Sequence, residues 1–296
     1  MKIKFWIKAF RLRTLPLSIS SILMAFSLAN INFSLETTVL LLAIVTTVFL
    51  QILSNLANDY GDGIKGSDVN RVGEPRMVSA GFISESQMLV GVIIFSILSF
   101  ISGSYLLYFV FGFADLIYSL LFLSLGLFSI WGAIKYTMGK NPYGYSGYGD
   151  LFVFIFFGLL GVFGSYFLFT KTLEPIAISG ALICGCLSVC VLNMNNMRDY
   201  YSDKKAGKIT LVVKKGIKWA ANYQLVLISI AIISYVSVFL YTINYWLFIG
   251  LIPIAILLTN VKTALSFNEN SELDGELKKI ALSTFAIAII LFFSIS

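Results

Sequence analysis

The residues best suited to chemistry in this 296-residue chain are four aspartates in two pairs, Asp59 with Asp62 and Asp199 with Asp203. Each pair follows an asparagine in the same spacing, Asn55 before Asp59 and Asn195 before Asp199, so both stretches read Asn-x-x-x-Asp. Residues three or four apart share one face of a helix, so each set forms a ridge of oxygen atoms along a helix and its exit turn. Carboxylates gathered in this way repel one another unless cations neutralise them. The chain has no histidine, which removes His-bound zinc, haem ligation by His and any Ser-His or Cys-His nucleophile. An oxygen-only donor set suits Mg²⁺, which takes one or two carboxylates and completes its shell with water and substrate phosphate. Two such half-sites facing each other suit two Mg²⁺ ions bridged by a diphosphate. Lys65, Arg71 and Arg76 accompany the first ridge, and Arg198, Lys204, Lys205 and Lys208 the second, as cations for phosphate oxygens. The plain alternative is a pair of ordinary basic loops with solvated acids between the cations. That alternative does not favour the repeated Asn-x-x-x-Asp spacing.

Membrane helices must position these residues. The composition is 58% hydrophobic and 12% charged, with a mean hydropathy of +0.89, well above the roughly 45 to 50% apolar content of a soluble domain. Apolar runs of about 20 residues predict nine transmembrane helices near 16–32, 36–57, 87–110, 114–135, 150–170, 175–196, 221–241, 244–262 and 278–296. The fold class is therefore all-α and integral to the membrane. With the N-terminus in the cytoplasm, 20 of the 21 Lys and Arg residues fall in cytoplasmic segments, as the positive-inside rule requires. The net charge of +6 then reflects orientation and implies no nucleic-acid partner. No cleavable signal is expected, because the first apolar stretch is too long and "SLAN" is a poor cleavage site. The basic and aromatic start, "KIKFWIKAFRLRTL", reads as an interfacial helix or as a positive-inside flank. Cys184, Cys186 and Cys190 lack Cys-x-x-Cys spacing and read as small buried apolar side chains, with no disulfide expected.

An offset of 140 residues lays "NLAND" over "NNMRD". The expected organisation is one transmembrane domain with a four-helix repeat, in halves of about 16–137 and 150–262, and an added ninth helix at 278–296. Parallel repeats place a shared site at their interface. A secondary transporter is the rival reading, but transport sites lie near the midplane, whereas these acids end their helices. The stretch "KYTMGKNPYGYSGYGD", 135–150, offers Tyr136, Lys140, Tyr143 and Asp150 as contacts for an aromatic acceptor, and a flexible connector would look similar. Gly158, Gly161 and Gly164 point to close helix packing.

Four ordered blocks carry a resemblance: "RLRTLPLS" (11–18), "NLANDYGDGIKGSD…RVGEPRMVSAGFIS" (55–84), "YTMGKNPYGYSGYGDLFVFIFFG" (136–158) and "NNMRDYYSDKKAGKITLVV" (195–213). They resemble the UbiA superfamily of intramembrane prenyltransferases, in particular the branch that prenylates 1,4-dihydroxy-2-naphthoate. The family's two Asp-rich motifs, which bind Mg²⁺ and prenyl diphosphate, fall on Asn55, Asn58, Asp59 and Asp62, and on Asn195, Asn196, Asp199 and Asp203. Gly66 stands where the hydroxybenzoate-using branch usually carries another acid, a departure that argues against that acceptor. The resemblance implies nine helices around a lipid-open cavity capped by the motif-bearing loops.

What it further implies is a long-chain prenyl diphosphate ionising at the cytoplasmic rim of the cell membrane. The naphthoate would attack the prenyl carbon, and diphosphate and CO2 would leave. Because decarboxylation replaces removal of a ring proton, no strong base is needed. Tyr136 is a candidate shield for the prenyl cation, and Arg13, Lys140 and Asp150 are candidates for gripping the acceptor. No protein partner is expected.

Overall fold

The computed structural model describes residues 3–66, 75–267 and 270–295. Among them are nine helices long and apolar enough to cross a membrane, and no strand. They are, in chain order, Ile3–Ala29, Thr37–Lys65, Glu85–Phe111, Leu116–Lys135, Gly149–Thr170, Ile176–Arg198, Ile217–Thr242, Tyr245–Ser266 and Asp274–Ile295. Each contains one of the nine stretches expected from hydropathy or nearly coincides with it.

The ends differ, and the differences matter for the site. The first span starts at Ile3 and is broken at Arg11, whose φ of 50° is left-handed, before helix resumes over Leu15–Ala29 with Pro16 in its first turn. The second span runs on to Lys65, so Asp59 and Asp62 lie on helix and not in an exit turn. The ninth span starts at Asp274, which places Asp274 and Glu276 in its first turn. At the seventh-to-eighth break, Ile243 is left-handed and Asn244 caps the next turn by accepting a hydrogen bond from Trp246 N at 3.0 Å.

The described residues form two compact units that alternate along the chain. One is drawn from Met1–Leu15, Leu41–Gly149 and Asp199–Lys214. Its core sets Ile52, Leu53, Leu56 and Ala57 against Ala9, Met77, Ile83, Met88 and Val92. Apolar residues of the second span that alternate with the acids around the helix thus face the core, which fixes the rotation of the polar ridge.

The other unit is drawn from Pro16–Leu40, Asp150–Arg198 and Lys215–Ser296. Its centre is the sixth span, on which the fifth, seventh and ninth pack. Of that span's most apolar stretch 72% is buried, against 6% for the fourth span. Small residues make this possible: a Cβ on Gly158 would stand 2.7 Å from the Ala181 carbonyl oxygen, and one on Gly185 2.7 Å from the Phe154 ring. The close packing expected of Gly158 is therefore present. Within the fifth span, residues Phe154–Gly164 wind as π-helix. The three cysteines are buried.

Candidate active site

Three side chains of the second span are committed to neighbouring segments of the same unit. Asn55 donates to Phe10 O and to Thr14 Oγ1, both at 2.9 Å, and so bridges to the break in the first span. Its own oxygen accepts from Gln51 at 3.3 Å. Asn58 Oδ1 accepts from Thr137 Oγ1 at 3.3 Å. Asp59 is 1% exposed, and its two oxygens accept the backbone N–H groups of Met77 and Val78 at 2.9 Å each. That carboxylate therefore pins the turn at 77–80 onto the helix. The Arg11 guanidinium lies within electrostatic reach of it.

Asp62 faces the other charges. It accepts from Arg76 Nη2 at 3.3 Å through one oxygen and from the Tyr145 hydroxyl at 2.8 Å through the other. Lys65 donates to Thr137 O at 2.6 Å and stands 4.3 Å from the centre of the Tyr145 ring. Two glycines allow this crowding. A Cβ on Gly61 would meet Thr137 Oγ1 at 2.5 Å, and one on Gly63 would meet Val78 Cγ1 at 2.7 Å.

The second acid pair is in the same unit: Asp203 lies on a short helix, Tyr200–Lys205, and Asp199 immediately precedes it. Asp199 and Asp203 are both buried, and Asp203 N donates to Asp199 O at 2.8 Å. Lys208 pairs with Asp203 at 3.4 Å and lies 5.6 Å from the Tyr145 ring centre. Ile209 N donates to Tyr145 O at 3.0 Å. Tyr145 is thus the joint between the two acid segments: hydroxyl to Asp62, ring to Lys65 and Lys208, backbone to Ile209. Nothing local in "YGYSGY" separates Tyr145 from Tyr143 and Tyr148, so the sequence alone does not single it out.

Other expected residues are placed elsewhere. Asn195 and Arg198 belong to the second unit, where Arg198 donates to Asn195 Oδ1 at 2.9 Å and to Asp274 Oδ1 at 2.7 Å. Among the described residues, Asn196 Oδ1 is buried with no hydrogen-bond partner. Asp150 is buried in the second unit, at the start of the fifth span. Tyr143 donates its hydroxyl to Gly132 O at 2.7 Å, and burial pushes its phenol well above the usual tyrosine range. Tyr136 packs edge-on against Tyr143 at 5.3 Å. Arg13, Lys140 and Lys204 are exposed. Arg71 lies outside the described residues.

Among the described residues no three acidic, histidine or cysteine side chains come together to enclose a metal ion unaided. The donors available are carboxylate and amide oxygens with lysine and arginine beside them. Such a set can grip an ion only with added oxygens, from water or from a phosphorylated substrate.

The pattern of the UbiA prenyltransferase family matches residues 18–276. The chain is 41% identical to a 1,4-dihydroxy-2-naphthoate octaprenyltransferase of Haemophilus influenzae over 83% of its own length and 80% of the relative's. It is 41% identical to the protein of the same name in Escherichia coli, over 85% of this chain and 82% of that one. Among solved structures, a UbiA homolog from Archaeoglobus fulgidus bound to GPP and Mg²⁺ shares the fold. The TM-score is 0.65 at 17% identity, with 98% of this chain and 99% of the other covered.

Proposed function

This chain belongs to the UbiA prenyltransferase family, and from that premise we propose that it transfers a polyprenyl group from a prenyl diphosphate to 1,4-dihydroxy-2-naphthoate. Diphosphate and CO2 are released and demethylmenaquinol is formed, a step of menaquinone biosynthesis. The acceptor is the one named for its 41% identical relatives. The observation that carries the chemistry is Tyr145, which links Asp62 to the Lys208–Asp203 pair within one unit.

The residues fit a hard divalent ion. The donors are oxygens only, buried carboxylates with lysine and arginine beside them. Asp59, Asp62, Asp199 and Asp203 would hold Mg²⁺ together with asparagine oxygens, as two ions bridged by the diphosphate. Each Asp59 oxygen accepts one backbone N–H and keeps a lone pair for a further interaction. When bound, Mg²⁺ neutralises the diphosphate and makes it a better leaving group. Lys65, Arg76 and Lys208 bring fixed positive charge to the region where negative charge develops as the prenyl carbon–oxygen bond breaks. Tyr145 holds Asp62 in register with those cations. The chain provides no histidine to deprotonate the ring, and none is required, since the ring carbon that takes up the prenyl group loses CO2 and not a proton.

On this reading the protein is one catalytic domain of two four-span halves and a ninth span. It sits in the cell membrane with N-terminus and acid motifs toward the cytoplasm, which places diphosphate in water and the prenyl tail in lipid. The test is an assay of purified protein in detergent with a long-chain prenyl diphosphate, offered dihydroxynaphthoate or 4-hydroxybenzoate, with Mg²⁺ or with EDTA. Demethylmenaquinol should form only with the naphthoate and the metal. Equal turnover of hydroxybenzoate would replace the acceptor, and full turnover in EDTA would end the reading.

A further inference from the structure

The first turn of the ninth span is tied twice to the sixth span, close to the second acid motif. Arg198 closes the sixth span with a side chain only 3% exposed. One end of its guanidinium donates to Asp274 Oδ1 at 2.7 Å and the other to Asn195 Oδ1 at 2.9 Å. Asn195 is therefore oriented by an arginine that is itself held from another span. A second tie runs through amides. Asn193 donates to Gln224 at 2.9 Å, Gln224 to Asn260 at 2.8 Å, and Asn260 to Glu276 at 2.9 Å. Lys279 closes the run on Glu276 at 2.5 Å. Asn193, Gln224 and Asn260 are fully buried and Glu276 is 4% exposed. Every donor points toward Glu276, so one carboxylate sets the direction of each link across the sixth, seventh, eighth and ninth spans.

Acids are favoured in the first turn of any helix by its dipole, and that accounts for Asp274 and Glu276 occurring there. It does not account for a buried arginine divided between Asp274 and a motif asparagine. We propose that Asp274 is a positioning residue for the second metal-binding motif, acting through Arg198 on Asn195, with the Glu276 amide run holding the sixth span against the ninth behind it. The ninth span, which lies outside the four-span repeat, then has a role in the chemistry without touching substrate. The inference rests on the reading of Asn195 and Asp199 as part of a Mg²⁺ site.

The experiment uses the full-length enzyme in detergent. Initial rates are measured against Mg²⁺ concentration for the wild type, Asp274→Asn, Asp274→Ala and Asp274→Glu, with melting temperature and acceptor KM determined in parallel. Loss of an outer partner of a metal ligand typically costs 10- to 100-fold in metal affinity, so Asp274→Asn and Asp274→Ala should raise the Mg²⁺ needed for half-maximal rate about tenfold or more. Acceptor KM should stay unchanged, and Asp274→Glu should return the Mg²⁺ curve most of the way to wild type. An Mg²⁺ curve that stays at the wild-type position in Asp274→Asn, whatever happens to melting, would make the pair a structural tie and overturn the proposal. Wild-type enzyme without Mg²⁺ dependence would instead remove the metal site itself.

Discussion

The two Asn-x-x-x-Asp segments are nearly interchangeable on paper and are held by different kinds of partner. In the first, Asn55 and Asp59 are anchored mainly by backbone, through Phe10 O and the N–H groups of Met77 and Val78, and charge enters at Asp62, which pairs with Arg76. The second is anchored by charge: Arg198 with Asp274 around Asn195, and Lys208 with Asp203. A backbone anchor makes the acid part of the fold, whereas a charge anchor leaves it adjustable by salt, metal and substitution. Like spacing therefore predicts like ligand chemistry but not like tolerance.

The largest test of that contrast is truncation of each acid. Asp59→Ala and Asp199→Ala should each lower kcat/KM by about 10³-fold or more, roughly 4 kcal/mol of lost electrostatic stabilisation. Asp59→Ala also strands two N–H donors whose burial without a partner costs about 1–3 kcal/mol each, so its melting temperature should fall by several degrees. An Asp59→Ala protein that melts with the wild type would show that the turn at 77–80 does not depend on that carboxylate.

Next in size is the joint between the two segments. Tyr145→Phe keeps the ring beneath Lys65 and removes the donor to Asp62, and a hydrogen bond to a charged group is worth about 1.5–3 kcal/mol. Activity should drop roughly 10- to 100-fold, and the melting temperature should fall as well, by less than in Asp59→Ala, which strands two buried donors. Wild-type activity in Tyr145→Phe would mean that Asp62 is held by Arg76 without it.

The smallest effect on chemistry belongs to the other unit. Gly158→Ala drives a methyl against the Ala181 carbonyl, and overpacking of this kind costs about 1–3 kcal/mol. The expected outcome is a lower melting temperature with an unaltered Mg²⁺ curve. A shifted Mg²⁺ curve would show that packing in this unit influences the acids.

Much of the architecture was readable before any coordinates. Nine spans follow from apolar run length alone, and Gly158 announces a close crossing because only small residues allow helix backbones to approach within a membrane. The ridge spacing of the acids is a local property of the helix and was equally legible. What each acid touches was not. Arg198 finds its partner 76 positions away at Asp274, and Asp59 is satisfied by backbone groups, which carry no residue-type signal. Tyr145 stands among similar tyrosines and is distinguished only by tertiary placement. The extra turn that keeps Asp59 and Asp62 on helix was missed because hydropathy stops where the polar residues start, while hydrogen-bonded winding continues.

Gly61 and Gly63 carry a practical consequence for redesign. The helix between them is moulded so closely to residues 78 and 137 that no side chain larger than hydrogen fits at either position without shifting a neighbour. Libraries aimed at new donors or acceptors should leave both glycines alone and vary the walls around them, because any bulk added there would act as a wedge that prises Asp62 out of line.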